Sequence, residues 1–168
     1  GTLEIITNLQ SFFAKHFPGK TVQWTEFGFA TDDVSPYDVD AITGKTERQV
    51  QADWTLRLKA ISQTVKFLRK MYYYAFFEDL TGPFNSMGLI SDKFDQKSVY
   101  QYSVVQPVAY ALANEIAVEK NYNFYANLVQ KGDSNDIWVT RKDHINDKRK
   151  KLYKAWVGSG SGKSFSNF

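Results

Sequence analysis

The 168-residue chain is 43% hydrophobic and 23% charged, which is an ordinary balance for a folded globular domain. It contains no cysteine, so disulfides, thiolate metal sites and cysteine nucleophiles are excluded. Its formal net charge is only +3, and no apolar run approaches the ~18 residues of a membrane-spanning helix. We therefore expect no nucleic-acid partner, no membrane partner, no metal ion and no cofactor.

The first strand-like segment ends in a carboxylate. Residues 3–17 predict a helix closed by a Pro-Gly pair, and residues 22–27 then form a short β-prone run in which Glu26 stands just before Gly28. Strand interiors seldom contain glutamate, whereas the carboxyl ends of barrel strands carry the catalytic groups of β/α enzymes. Glu26 is therefore either a catalytic residue or a strand-end charge that faces water.

A second helix and a second strand follow a polar loop over residues 29–45. Apolar residues at three- and four-residue spacing predict an amphipathic helix over residues 46–66. Residues 71–77 are a continuous apolar and aromatic run, which is typical of a parallel strand buried on both faces. This run also ends in two carboxylates, Glu78 and Asp79.

A third helix, predicted over residues 98–119, completes an alternating series of helices and strands. Such a series favours a parallel sheet with right-handed connections. Beyond residue 121 the pattern changes to short alternating runs separated by turn residues. These predict an antiparallel β-meander at residues 123–129, 137–140 and 152–157. We expect the two patterns to divide the chain into domains at residues 1–120 and 121–168.

Several short motifs occur in the order found in a known enzyme family. They are Thr25-Glu26-Phe27-Gly28, Gln51-Ala52-Asp53 with Arg57, Tyr73-Tyr74-Ala75-Phe76-Phe77-Glu78-Asp79, and Gly88-Leu89-Ile90. In this order they resemble the last third of a clan-A retaining glycoside hydrolase, over roughly residues 1–120. The resemblance implies an α/β fold, the C-terminal portion of a TIM (β/α)8 barrel with its last two β/α units. A small antiparallel β-meander, part of a β-sandwich, would follow it.

The resemblance also implies a chemical role for Glu26. In that clan the seventh barrel strand ends in the nucleophilic glutamate, so Glu26 would form a covalent glycosyl-enzyme intermediate. Retaining hydrolysis needs a second carboxylic acid about 5 to 5.5 Å away, which the clan carries in an Asn-Glu pair on the fourth strand. The pair present here, Asn114-Glu115, falls in the third predicted helix, where glutamate is a routine surface residue. We expect a remaining barrel segment or a partner chain to supply the acid, and the isolated chain to be inactive.

Candidate contacts to a carbohydrate substrate are carboxylates that would bind sugar hydroxyls and rings that would stack on pyranose faces. They are Asp32, Asp33, Glu78 and Asp79, together with Trp24, Phe76 and Phe77. Gln51 and Arg57 belong to the family pattern but are expected to pack or pair structurally. The alternative function is a non-catalytic carbohydrate-binding or assembly module, a half barrel docked onto a partner chain. A secreted or periplasmic location is favoured, although the sequence leaves the compartment unknown.

Two further segments contain motifs that are typical of phosphate binding. Residues 158–164 resemble a phosphate-binding loop, but Val157 stands where the first glycine of that motif is required, so a hairpin turn is the simpler interpretation. Lys148-Arg149-Lys150-Lys151 is a basic cluster that could bind phosphates. Because no aromatic platform accompanies it, we interpret it as a solvated turn.

Overall fold

The computed structural model describes residues 2–32, 35–78, 86–93, 102–128 and 137–157. The elements in chain order are α1 (Thr2–His16), β1 (Val22–Phe27), α2 (Glu47–Ser62), β2 (Leu68–Tyr73), β3 (Ile90–Lys93), β4 (Tyr102–Val105), α3 (Pro107–Glu119), β5 (Tyr122–Leu128), β6 (Ile137–His144) and β7 (Lys151–Val157). None of the helices in these ranges is both long enough and apolar enough to cross a membrane.

The chain forms two compact units that are interleaved along the sequence. One contains residues 1–21, 60–67 and 118–168, and the other contains residues 22–59 and 68–117. The meander therefore belongs to the first unit, whereas β1 and β2 belong to the second. The division into domains after residue 120, made from the sequence, stays a prediction.

β1 and β2 form a parallel pair, with Val22 opposite Leu68 and Phe27 opposite Tyr73. The predicted parallel pairing of these two segments is confirmed. The bounds of the second strand were wrong, since the structure ends β2 at Tyr73 and not at Phe77. The carboxyl ends of both strands lie at the same edge of this sheet.

The aromatic run is divided because its two halves pair with different segments. The N–H of Tyr74 donates to the carbonyl of Phe27 at 2.8 Å, which is the last hydrogen bond to β1. Beyond it, Ile90 pairs with the second half of the run. The N–H of Ile90 donates to the carbonyl of Phe76, and the N–H of Glu78 donates to the carbonyl of Ile90, both at 2.9 Å. Periodicity alone does not reveal such a change of partner.

Burial of the parallel pair also differs from the prediction. Residues 23–26 of β1 are all exposed, and so is Tyr72 of β2. The expectation of a strand buried on both faces was wrong because, in the described ranges, this sheet contains two strands and neither is flanked on both sides. A strand becomes fully covered only when neighbouring strands and helices pack around it.

α2 begins with a reciprocal cap. The N–H of Thr46 donates to Oε1 of Gln49 at 2.9 Å, and the N–H of Gln49 donates to Oγ1 of Thr46 at 3.4 Å. This capping box satisfies two of the donors that every helix start leaves unpaired. The helix ends at Ser62, four residues before the predicted end.

α3 begins at Pro107, and not near residue 98 as predicted. Proline fits the first position of a helix, and it disfavours helical geometry in the residue before it, here Gln106. The preceding residues 102–105 form β4, which pairs in antiparallel fashion with β3. Residues 94–101, which contain the predicted start of this helix, lie outside the described residues.

The meander prediction is confirmed, because β5, β6 and β7 form an antiparallel sheet in that order. Trp156 of β7 packs with Ala60 and Ile61 in the buried core of this unit. The first three residues of the basic cluster, 148–150, lie in the turn between β6 and β7, as predicted, and Arg149 pairs there with Asp147 at 3.2 Å. The fourth, Lys151, is the first residue of β7 and pairs with Asp143 at 3.0 Å. The glycine-rich segment 158–164 lies outside the described residues.

Candidate functional site

Glu26 lines an open cleft of about 500 Å³. It is the last residue but one of β1, and its side chain is exposed. The residues that line the cleft are Trp24, Glu26, Phe27, Gly28, Phe29, Tyr37, Leu58, Tyr74 and Met87. A carboxylate thus stands in the wall of a cavity whose other side chains are aromatic or aliphatic.

Gly28 lies beside two other residues that line the cleft. A Cβ placed on Gly28 would lie 3.5 Å from the Sδ of Met87 and 3.5 Å from the Cβ of Tyr74. Both distances are ordinary van der Waals contacts. Gly28 thus packs next to Met87 and Tyr74 directly after the strand that carries Glu26.

The loop after β1 brings Tyr37 to the cleft. The N–H of Ala30 donates to the carbonyl of Tyr37 at 3.0 Å, and the N–H of Val39 donates to the carbonyl of Ala30 at 3.1 Å. These bonds fold the loop back on itself beside β1. Tyr37 was not predicted as a site residue, since an isolated tyrosine in a polar loop carries no periodic signal.

Gln51 of α2 forms hydrogen bonds to two other segments of this unit. Its side chain is fully buried, and its amide donates to the carbonyl of Phe29 at 2.5 Å and to that of Ser86 at 2.9 Å. Arg57, on the same helix, lies over the ring of Trp54 at 5.1 Å from its centroid. The prediction that Gln51 and Arg57 pack or pair structurally is confirmed.

Two of the four candidate sugar-binding carboxylates belong to a polar network around Ser86. Arg48 contacts Oε1 of Glu78 at 2.5 Å and donates to the carbonyl of Ser86 at 2.7 Å. The Ser86 hydroxyl donates to Asp32 and accepts from the N–H of Thr31 at 2.7 Å. Neither Asp32 nor Glu78 lines the cleft of Glu26. The other two candidates, Asp33 and Asp79, lie outside the described residues.

The exposed aromatic side chains near Glu26 differ in part from those predicted. Trp24 lines the cleft, but Phe76 and Phe77 do not. Those two rings are exposed and pack edge to face at 4.9 Å between centroids. Tyr74 takes the place expected of them, because the chain leaves β1 immediately after this residue.

Tyr73, one residue before Tyr74, has a buried phenol with a raised pKa. Burial raises the pKa of Tyr73 to about 12, an increase that the Thr55 hydroxyl and the Arg48 guanidinium partly oppose. Its ring packs edge to face on that of Phe27 at 5.4 Å. The phenol therefore stays protonated at neutral pH beside the carboxyl end of β1.

A second acid for retaining hydrolysis is not among the residues that line the cleft, where Glu26 is the one carboxylate. Glu115 lies in α3, as predicted, but it is nearly buried, and its Oε2 lies 2.6 Å from Nζ of Lys59. The description of Glu115 as a surface residue was therefore wrong. Within the described ranges, no three side chains of His, Cys, Asp or Glu converge to hold a metal ion.

Comparison with known proteins found no matching family model, no matching curated protein and no matching solved structure. Functional inference for this chain therefore rests on its motifs and on the geometry around Glu26.

Proposed function

We propose that this chain carries the nucleophile of a retaining glycoside hydrolase, Glu26, within the C-terminal portion of a (β/α)8 barrel. One observation supports this most directly. Glu26 stands at the carboxyl end of a parallel strand, in the wall of a cleft that also contains Trp24 and two tyrosines. Barrel enzymes carry catalytic groups at this end of their strands, and exposed aromatic faces suit pyranose rings.

The proposed reaction has two steps. In the first, the Glu26 carboxylate attacks the anomeric carbon, the glycosidic bond breaks, and a second carboxylic acid gives its proton to the leaving oxygen. In the second, the same group, now a carboxylate, takes a proton from water. That water displaces Glu26 from the anomeric carbon, which restores both groups.

The second acid has to come from outside the lining residues of the cleft, from a remaining barrel segment or a partner chain. Without it the leaving oxygen is not protonated, and general acid catalysis contributes a factor of about 10² to 10⁴. We therefore expect the 168-residue chain alone to show no measurable turnover of aryl glycosides. We also propose that, in the complete barrel, sugar hydroxyls bind to the carboxylates of Asp32, Asp33, Glu78 and Asp79.

Covalent trapping tests the role of Glu26. The complete barrel is incubated with 2-deoxy-2-fluoroglycosides of several sugars, digested, and searched by mass spectrometry for a glycosylated peptide. We expect the label on Glu26, and its loss in Glu26→Gln, which preserves shape but removes the nucleophile. Asp40→Asn removes an exposed carboxylate in the same unit and should label like the wild type. Label on another carboxylate would end the assignment.

A second candidate function is the non-catalytic module. The observation that favours it is that, in the described ranges, the β1–β2 sheet contains two strands and therefore has an unpaired edge on each of them. Unpaired edges are sites for strand addition from a partner. Saturable sugar binding by the complete barrel, with no covalent label and no hydrolysis, would favour this candidate over the enzyme.

A further inference from the structure

The cleft around Glu26 has an unusual balance of charge. Glu26 is the one carboxylate among the residues that line it, and none of those residues is Lys, Arg or His. Three of its aromatic side chains are substantially open to solvent: Trp24 is 42% exposed, Tyr37 56% and Tyr74 41%. Aromatic faces carry negative electrostatic potential. The rings and the carboxylate therefore attract the same kind of ligand, a cation.

Three basic side chains elsewhere in this unit form ion pairs with other carboxylates. Arg48 contacts Glu78 at 2.5 Å, Lys59 contacts Glu115 at 2.6 Å, and Lys45 contacts Asp53. Arg57, the residue before the lining residue Leu58, lies over Trp54, which is not in the cleft wall.

In the described part of the chain, the Glu26 carboxylate forms no ion pair. A neutral sugar would satisfy the aromatic faces but would leave this charge without a counterion. A ligand that carries an ammonium group would satisfy both.

We propose that this cleft binds an organic ammonium ion, held between the aromatic faces of Trp24, Tyr37 and Tyr74 and the carboxylate of Glu26. Ammonium groups bind over aromatic rings through the ring quadrupole, most strongly over tryptophan. An adjacent carboxylate adds a Coulombic attraction that a neutral ligand of the same shape lacks. The volume of about 500 Å³ is sufficient for a small ammonium compound or an amino sugar.

Ammonium binding requires only the cleft and its charge, so it does not depend on the proposed hydrolysis. Ammonium binding and hydrolysis are also compatible in two ways. An amino sugar would place its ammonium group in the same cleft, and the oxocarbenium-like transition state of glycoside hydrolysis also carries positive charge. Failure of one proposal therefore leaves the other standing.

Calorimetric titration of the full 168-residue chain tests the proposal with a matched pair of ligands. Choline and 3,3-dimethylbutan-1-ol have nearly the same shape, but only choline is charged. We expect choline to bind at least about 10-fold more tightly, and its advantage to shrink between about 0.01 M and 1 M ionic strength, where the Debye length falls from about 30 Å to 3 Å. Equal affinity for the two ligands, or no choline binding at tens of millimolar, would overturn the proposal.

Variants locate the binding. Glu26→Gln should lower choline affinity about 10-fold while leaving 3,3-dimethylbutan-1-ol unchanged, whereas Asp40→Asn should change neither. Trp24→Leu should weaken choline, and Trp24→Phe, which keeps a ring, should restore part of the affinity even if the leucine variant is poorly folded. Choline binding that survives both Glu26→Gln and Trp24→Leu would overturn the assignment to this cleft.

A second comparison identifies the source of the ammonium group. Glucosamine carries a charged amine, and N-acetylglucosamine is its neutral counterpart. Preference for glucosamine over N-acetylglucosamine by about 10-fold would support an amino sugar, and choline binding without that preference would support a quaternary amine. Covalent trapping at Glu26 with no preference for any cation would retain the hydrolase proposal and overturn this one.

Discussion

Substitution of Glu119 by glutamine tests a nearly buried carboxylate of the first unit that pairs with two lysines. Glu119 is the last residue of α3, and its side chain is 9% exposed. Its Oε1 lies 2.7 Å from Nζ of Lys142 and also contacts Nζ of Lys154, while its Oε2 accepts from the Gln63 amide at 3.2 Å. The side chains of Lys142 and Lys154 are only 6% and 18% exposed.

Glu119→Gln preserves the size of this side chain but removes its charge, so two nearly buried ammonium groups lose the carboxylate between them. Removing one partner of a buried ion pair costs about 3 to 5 kcal/mol, because the remaining charge is uncompensated. For a chain of this length each kcal/mol lowers the melting temperature by roughly 2 to 4 °C, so the expected decrease is about 6 to 20 °C. That is a large part of the total stability of a typical domain.

Urea denaturation followed by far-ultraviolet circular dichroism measures this loss. Asp147→Asn is the matched control, because its partners Arg149 and Lys150 are 92% and 63% exposed. Pairs of that kind contribute no more than about 1 kcal/mol. Lys142→Met in the Glu119→Gln background should recover part of the loss. Similar midpoints for Glu119→Gln and Asp147→Asn would refute the reasoning, since they would show that the Lys142 charge is not buried in solution.

Three other substitutions give separate predictions. Gly88→Ala should lower the free energy of unfolding, measured by urea denaturation, by about 1 to 3 kcal/mol, because its Cβ would lie 2.6 Å from atoms of residues 77 and 78. Gly28→Ala, whose Cβ would have contacts of 3.5 Å, is the control, and equal midpoints for the two variants would contradict the close packing at Gly88. The pKa of Tyr73 is raised by burial to about 12, so its stabilising effect is complete below its ordinary pKa of 10.0 and is lost as pH rises to about 12. Tyr73→Phe should therefore reduce the alkaline loss of stability measured by denaturation over this interval, and an unchanged slope would count against a buried phenol. A hydrogen bond from Arg141 lowers the pKa of Asp143 from 3.8 to about 2, so its contribution is present above 3.8 and is lost as pH falls to about 2. Acid denaturation of Asp143→Asn should show a shallower loss of stability in this window, whereas an identical profile would argue against the pair in solution.

Local sequence patterns were sufficient to predict the helices and strands that form from short-range signals. α1, β1 and the three strands of the meander were predicted from apolar periodicity, turn residues and a Pro-Gly stop, and the structure contains all of them. The position of Glu26 at a strand end was predicted for the same reason. The start of α3 was predicted near residue 98, which was wrong, since the helix begins at Pro107, a residue that fits the first helical position.

The sequence by itself determined α1, β1, the three meander strands and the parallel direction of the first two strands, because side-chain period and element order are properties of the chain. Only the tertiary structure decided which side chains share the cleft. Tyr37 and Tyr74 meet Glu26 there because a loop folds back beside β1 and because the aromatic run changes partner after Tyr74. The change of partner depends on hydrogen bonds of Tyr74 to Phe27 and of Ile90 to Phe76, which join residues distant in sequence. The loop closes through bonds of Ala30 to Tyr37 and Val39 that have no periodic signal. The ion pairs of Glu119 have the same origin, since α3, β6 and β7 contribute one charge each.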